Sequence, residues 1–373
     1  RRGIVDFIGA ARPSIADPFL PRKIEEGRPE EIRECIGCNI CYTGDGLGVP
    51  IRCTQNPTMG EEWRRGWHPE FIAKKGSKSS VLVVGAGPAG LEATRALGQR
   101  GYRVTLAEAT RELGGRVTRE SRLPGLTEWQ RVRDYRLQQI DVMPNVEVFR
   151  ESELNVDEVL AVEANHIVFA TGAAWRADGF GRSHLHPLTA LSPGARILTP
   201  DDIMAGHLPD GPTVIFDDDS FYMGGVIAEQ VRRANVPVSV VTPENVVSAW
   251  CEYTSEQYQV QKHLLELGIE IKTAHSLLAY DGREVTISCI HTGGQQSIKA
   301  DALIMVTARL PRDELYQDLN RRLESGVQTP FRSVRRIGDC EAPAIIAAAV
   351  HSGHRYAREL DTEPDPDVPL RLE

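Results

Sequence analysis

Long apolar runs are missing from this chain: no stretch of its 373 residues approaches the roughly 20 apolar residues that a bilayer-spanning helix requires. The N-terminus carries no basic region followed by an apolar core, the signature of an export signal. Neither export nor membrane insertion is supported, and a cytoplasmic location is expected. Basic charge is also scarce. With 43 Lys and Arg against 52 Asp and Glu, the formal charge is −9, which disfavours nucleic acid and anionic membranes as partners because both select a basic surface. A dispersed, even set of cysteines is absent too. Of seven cysteines, four are clustered and Cys251, Cys289 and Cys340 are scattered, so the pattern is not a secreted disulfide scaffold and fits a reducing compartment. With 41% apolar and 25% charged residues, the chain is globular and long enough for two or three domains with ordinary cores.

What is present begins with those clustered cysteines. Cys35, Cys38, Cys41 and Cys53 form C-x2-C-x2-C-x11-C, a run that can wrap three corners of one iron–sulfur cubane and close with a remote ligand. Gly37 lets the backbone approach such a cluster. Zinc or disulfides are the alternatives, but structural zinc sites usually take two separated Cys-x-x-Cys knuckles, whereas three thiolates in seven residues suit a [4Fe-4S] cluster better. Trp63 and Trp67 are read as packing that shields the site, His68 as structural, and Tyr42, beside a ligand, as a residue on an electron exit path.

Ahead of the cysteines, Gly3 to Arg12 reads as a buried strand ending in small residues and a cation, followed by a Pro-started helix from about Ser14. Two readings stay open. One is the last strand of a (β/α)8 barrel with Arg12 at its phosphate-binding carboxyl end, and the other is an ordinary N-terminal strand.

After a polar linker around Lys74 to Ser80, the run Val81 to Val84 leads directly into Gly85-Ala86-Gly87-Pro88-Ala89-Gly90. Gly85 permits the tight turn, Gly87 lets the backbone reach a pyrophosphate, and Gly90 lets the helix pack on the strand with its N-terminal amides toward the phosphates. That helix is expected to reach about Arg100. A second strand follows over Arg103 to Glu108, where Glu108 would accept both ribose hydroxyls of an adenine nucleotide. Gly114-Gly115-Arg116, the strand exit Ala170-Thr171-Gly172 and the strand exit Ile337-Gly338-Asp339 complete a flavoprotein-like nucleotide domain interrupted by an insert. An Ala-rich helix from about Ala344 to Leu360 closes it, with Asp339 placed to accept a hydrogen bond from a ribityl or ribose hydroxyl.

The insert reads as a second Rossmann-like unit: strand Thr213 to Phe216, helix Val226 to Ala234, strand Pro237 to Val241, and helix Ser255 to Leu267 ending at Gly268. Its loop lacks the required glycines. Asp217-Asp218-Asp219 stand where a pyrophosphate would sit, a placement that costs several kcal/mol in a partly desolvated site. The unit therefore reads as a disused dinucleotide domain, the alternatives being a metal-bridged phosphate site or an acidic docking loop.

Several segments carry a family likeness: Gly9-Ala10-Ala11-Arg12-Pro13-Ser14-Ile15-Ala16-Asp17-Pro18, Cys35 to Cys41, Cys53-Thr54-Gln55-Asn56-Pro57, Arg64 to Pro69, and Ile337-Gly338-Asp339-Cys340-Glu341-Ala342-Pro343. The chain resembles, from about Gly9 to Leu360, the trimethylamine dehydrogenase family, which includes dimethylamine and histamine dehydrogenases, methylated amino-acid demethylases and the more distant 2,4-dienoyl-CoA reductases. The resemblance implies an α/β chain whose residues 1–30 end an FMN-binding (β/α)8 barrel and whose residues 31–75 hold a [4Fe-4S] cluster on Cys35, Cys38, Cys41 and Cys53. Residues 76–200 with 326–373 would form a Rossmann-like ADP- or FAD-binding domain, and residues 201–325 an inserted degenerate one. It further implies that Arg12 holds the FMN phosphate and that Gly85, Gly87, Gly90, Glu108 and Asp339 contact ADP, or FAD in the reductases. Pro88, Ala89, Gly115, Arg116, Thr171, Gly172 and Gly338 belong to the same expected nucleotide site.

The implied activity is oxidative N-demethylation or deamination of a methylated amine of the trimethylamine, dimethylamine, dimethylglycine or N-methylproline type, with electrons passing from FMN through the cluster to an electron-transfer flavoprotein. Catalytic residues would lie in the barrel and cannot be named on this chain. A homodimer is expected. The alternatives are an NAD(P)H-dependent reductase, or a non-catalytic electron-transfer subunit with the barrel on another chain. The carboxylates of the second loop favour the dehydrogenase, and with no hydride entering there, ADP is favoured over FAD.

Overall fold

The computed structural model describes residues 6–362. The chain divides into two compact units, one of residues 1–118, 128–172 and 311–373, the other of residues 119–127 and 173–310.

The first unit is built on a five-stranded, all-parallel sheet in the order Ser333–Arg336, His166–Phe169, Ser80–Val84, Arg103–Ala107, Val146–Phe149. The central strand is apolar and buried, with Val81 paired to Val104 on one side and to His166 on the other, as expected of a parallel strand covered on both faces. Helix Pro88–Arg100 packs on this sheet, and helix Ile346–Glu359 packs on that helix. Small residues permit the close approach: a Cβ on Gly353 would meet the Ala89 carbonyl oxygen at 2.1 Å. The core here includes Val83, Leu91, Leu97, Leu106, Val168 and Ile337.

Residues 11–72 hold little regular structure and are pinned by buried charge. The Lys23 ammonium lies 2.7 Å from Asp17 and 3.2 Å from Glu70, while Arg33 donates to Glu70 at 2.6 Å. Removing one partner of such a buried pair leaves an uncompensated charge, so this segment resists piecemeal unfolding. The strand read over Gly3 to Arg12 is not formed where it can be described. Residues 6–10 are irregular, Phe7 and Ile8 are exposed, and a helix Ala11–Ala16 begins earlier than Ser14; Gly3 to Val5 lie outside the described residues. The reason is pairing: no neighbouring strand among the described residues supplies a ladder, and an unpaired strand is not stable.

The second unit contains another five-stranded parallel sheet, ordered Ile197–Leu198, Ala302–Val306, Thr213–Asp217, Val238–Val241, Glu270–Lys272. Helices Tyr222–Arg233 and Gln257–Glu266 connect its strands. An antiparallel meander of His275–Tyr280, Glu284–Cys289 and Gln295–Lys299 adds a further layer. Both units are thus Rossmann-like α/β assemblies. Among the described residues no helix is long and apolar enough to cross a membrane.

Candidate nucleotide and iron–sulfur sites

The glycine loop leaves the carboxyl end of strand Ser80–Val84 and enters helix Pro88–Arg100, the place in an open parallel sheet where ligands bind. Gly85 adopts φ +100°, and a Cβ there would meet the Ala170 carbonyl oxygen at 2.6 Å. Gly90 is sterically required as well, since its Cβ would lie 1.9 Å from the Gly85 oxygen. Gly87 differs. It caps the helix without a side-chain hydrogen bond, and the space its missing Cβ points into is open. An uncapped helix N-terminus beside open space is the arrangement that receives a pyrophosphate. Pro88 occupies the first helical turn, where no amide is lost to the ladder, and the Ala89 methyl group packs under Gly338, whose Cβ would approach it to 2.5 Å.

The other expected residues gather around this loop within the first unit. Glu108 accepts from the Ala86 N–H at 2.8 Å through Oε2 and from the Thr110 N–H at 2.9 Å through Oε1. Its carboxylate is therefore fixed beside the loop. Gly114 donates to the Ala86 carbonyl at 2.8 Å, and a Cβ on Gly115 would come within 3.1 Å of Gly87 Cα, so this turn closes over the loop. Arg116 reaches across the sheet end to Asp339, Nη1 to Oδ2 at 2.7 Å, and to the Ala344 carbonyl at 2.9 Å; Asp339 Oδ1 accepts from the Ala344 N–H at 3.1 Å. Thr171 has a supporting part: its hydroxyl donates to the Arg312 carbonyl and lies 3.1 Å from Cys340 Sγ, while Gly172 accepts from the Arg312 N–H at 2.9 Å. Thus Arg116, Asp339 and Thr171 hold one another's loops in place around the nucleotide seat.

The cysteine segment is fastened to the same unit through Ile36, which packs with Val117, Val132, Ile346 and Val350, and Cys38 lies against this cluster. Gly37 at φ +70° and Asn39 at φ 54° turn the backbone so that Cys41 starts a helix Ile40–Leu47. Cys35, Cys38, Cys41 and Cys53 are all free thiols and feel one another's charge. Burial pushes Cys38 up to about 12, with the Thr54 hydroxyl 3.2 Å away opposing the shift; burial likewise raises Cys41 and Cys53. Backbone N–H groups face the sulfurs: Gly37 toward Cys35 at 3.4 Å, Ile40 toward Cys38, Tyr42 toward Cys41, and Gln55 and Asn56 toward Cys53. Donors facing four half-buried thiols suit bound thiolates far better than protonated ones.

Among the described residues no group of three or more Cys, His, Asp or Glu converges tightly enough for a single ion. A cubane asks for something else, since its thiolates stand at separate corners rather than around one atom. Arg12 lies in the helix Ala11–Ala16 rather than at a strand end, and its guanidinium donates to the Asn39 side chain beside the cysteine loop. Trp67 is buried, edge-on to His354 at 5.4 Å, whereas Trp63 and Tyr42 are exposed. His68 stacks on Phe19 and accepts from the Glu70 N–H at 3.0 Å.

In the second unit the acidic loop is turned inward. Asp217 is fully buried against Gly224, whose Cβ would meet its carboxyl carbon at 2.3 Å; it accepts from the Ser220 N–H at 2.9 Å, and its second oxygen has no hydrogen-bond partner. Burial, and then Asp219, raise its pKa to about 8. Asp218 is occupied by the Ser183 hydroxyl at 2.6 Å. The Asp217 side chain fills the position against the first turn of helix Tyr222–Arg233 that a bare glycine loop would leave for phosphate.

Sequence reasoning missed Gln55, Arg136 and Glu92, which stand behind the cysteine loop; Gln55 follows the fourth cysteine by two positions, but nothing in the pattern marks its fully buried partners.

Comparison with known proteins finds relatives that share this fold. Residues 79–188 match the pyridine nucleotide-disulphide oxidoreductase family model. The chain is 39% identical to dimethylamine dehydrogenase of Hyphomicrobium sp. (strain x), covering 100% of this chain and 54% of that protein. Histamine dehydrogenase of Rhizobium sp. 4-9 superposes with a TM-score of 0.95 at 51% identity, covering 100% of this chain and 57% of the other. The 6-hydroxypseudooxynicotine amine oxidase of Pseudomonas geniculata N1 superposes with a TM-score of 0.92 at 45% identity, covering 97% of this chain and 54% of the other. The chain therefore spans about half the length of the relatives it matches. In its nucleotide fold and over its whole length, the chain is thus similar to about half of the dimethylamine dehydrogenase and histamine dehydrogenase chains.

Proposed function

We propose that this chain is the electron-transfer and nucleotide-binding portion of an iron–sulfur flavoprotein that oxidatively demethylates or deaminates a methylated or related primary amine. The observation that carries the reading is the set of four free thiols, each faced by backbone donors, in the same unit as a glycine loop with open space at its helix N-terminus. Cys35, Cys38, Cys41 and Cys53 would hold a [4Fe-4S] cluster, which when bound carries single electrons. The surrounding amides would stabilise the thiolates, and Ile36 packs beside Cys38.

Gly85, Gly87, Pro88, Ala89 and Gly90 would seat the diphosphate of an adenine nucleotide, Glu108 its ribose, and the Gly114–Gly115 turn would close over it, with Arg116, Asp339, Thr171 and Gly338 as supports. ADP is the preferred occupant over FAD, because Asp217 supports the reading that no nicotinamide nucleotide delivers hydride here. FMN, the amine pocket and the catalytic groups would belong to a barrel outside the described residues, with Arg12 holding the FMN phosphate. An electron-transfer flavoprotein is the proposed acceptor, Tyr42 the exposed residue on the exit path, a homodimer the proposed assembly and the cytoplasm its compartment. A pyridine-nucleotide reductase is the second reading, disfavoured by Asp217.

Electron paramagnetic resonance of the dithionite-reduced protein tests the cluster. Wild type should give the signal of a reduced [4Fe-4S] centre, lost in Cys41→Ser; zinc bound in place of iron would contradict the reading.

A further inference from the structure

Three buried charges are explained by neither the glycine loop nor the cysteines. Glu92, in helix Pro88–Arg100, is fully buried; Oε1 accepts from Arg95 at 2.6 Å and from His354 Nδ1 at 2.8 Å, and Oε2 lies 2.8 Å from Arg136 Nε. Arg136, on helix Arg131–Asp141, has no exposed surface. Its Nη1 donates to Gln55 Oε1 at 3.0 Å and its Nη2 to the Gln55 carbonyl at 3.2 Å. Gln55 is buried in turn, and its side-chain amide donates to the carbonyls of Glu34 at 3.0 Å and Arg131 at 3.2 Å. Glu34 directly precedes Cys35, while the Gln55 N–H faces the Cys53 sulfur. Gln55 therefore ties the start of the cysteine segment to its end, and Arg136 grips Gln55 by side chain and backbone together.

Burying a charge pair is a poor way to gain stability, since apolar side chains of similar volume usually do as well. A different use is suggested by where the pair stands. The net charge and hydrogen bonding around an iron–sulfur cluster set its potential, and here a guanidinium is bonded to Gln55, two residues beyond the fourth cysteine, and to its counter-charge Glu92.

We propose that Arg136 and Glu92 are positioning residues of the iron–sulfur site: Arg136, through Gln55, aims an N–H at the Cys53 sulfur, and the two opposed charges set the reduction potential of the cluster. The inference rests on the cluster reading above. Reduction adds negative charge to the cluster, so Arg136, in contact with Gln55 of the cysteine segment, favours the reduced form, and Glu92, one contact further along, opposes it. Through the same pair, the helix that opens at the nucleotide loop is joined to the fourth ligand by continuous contacts Glu92, Arg136, Gln55.

The test is a redox titration of the purified protein with its cluster, followed by electron paramagnetic resonance after iron has been counted. Arg136→Gln should lower the midpoint potential and Glu92→Gln should raise it by less, while Arg136→Lys, which keeps the charge, stays nearest wild type. A packing role would move no potential, or would move both in one direction, and either result overturns the inference. If Arg136→Gln fails to retain iron, Glu92→Gln decides alone, an unmoved or lowered potential being contradictory; failure of both to hold iron would make the network a scaffold and overturn it too. Absence of iron from wild type would instead remove the cluster reading.

Discussion

Gly87 and Gly90 stand three residues apart in one loop and lack a Cβ for different reasons. At Gly90 a methyl group would strike the Gly85 oxygen at 1.9 Å, whereas at Gly87 it would enter open space from ordinary extended backbone, φ −72°. Gly90→Ala should therefore cost about 3 kcal/mol by forcing the backbone apart. Gly87→Ala should leave stability within about 0.5 kcal/mol and remove bound adenine nucleotide. Urea unfolding and nucleotide content measured on both variants check the pair; equal destabilisation would contradict the assignment of Gly87 to the ligand. Asp217 gives a second residue-level expectation. Its pKa is raised by burial to about 8 from 3.8, so between those values the unfolded chain has released a proton that the native state retains, and stability falls as pH rises. Asp217→Asn carries no such proton. The melting temperature of Asp217→Asn relative to wild type should climb steadily from pH 5 to pH 8 and level off above it, and a pH-independent difference would show the carboxyl to be ionised.

At the scale of elements, the first strands of the two units declare themselves as apolar runs ending in a turn, glycine-rich in one and acidic in the other. Val81 to Val84 and Thr213 to Phe216 were legible in this way, and the helices after them differ from expectation only at their ends. The described part of Gly3 to Arg12 has the composition of a strand but no partner strand among the described residues, and pairing is not written in a local pattern. The inward turn of Asp217 was equally hidden, because a carboxylate in a loop reads as solvated until its burial is seen. So was the contact of Arg116 with Asp339, 223 residues apart. That ion pair joins the helix Arg116–Glu120 to the turn Gly338–Cys340 and is largely shielded, 15% and 6% exposed. Arg116→Leu alone should cost roughly 3 kcal/mol by stranding Asp339. In Arg116→Leu with Asp339→Leu, part of that loss should return, as a double-mutant cycle in urea would read; full additivity would show that the two do not act as a pair.

For the molecule as a whole, two α/β units of similar plan have diverged in what their first loops can hold. The glycine loop of the first leaves open space at a helix N-terminus, and the second supplies its own carboxylate there. Adenine nucleotide should then stabilise nucleotide-stripped protein by mass action, by roughly 2.7 kcal/mol at a hundredfold excess over Kd, while NADH and NADPH at the same concentrations should add no second, independent stabilisation in protein already saturated with ADP. Thermal unfolding with each ligand distinguishes these. The most direct test of the central claim is to denature the purified protein, identify the released nucleotide by mass spectrometry and count iron in the same sample. ADP with about four iron atoms per chain is the result predicted for an amine dehydrogenase portion that carries electrons to a protein acceptor; FAD would return the pyridine-nucleotide reductase to the fore, and an absence of iron would contradict the account.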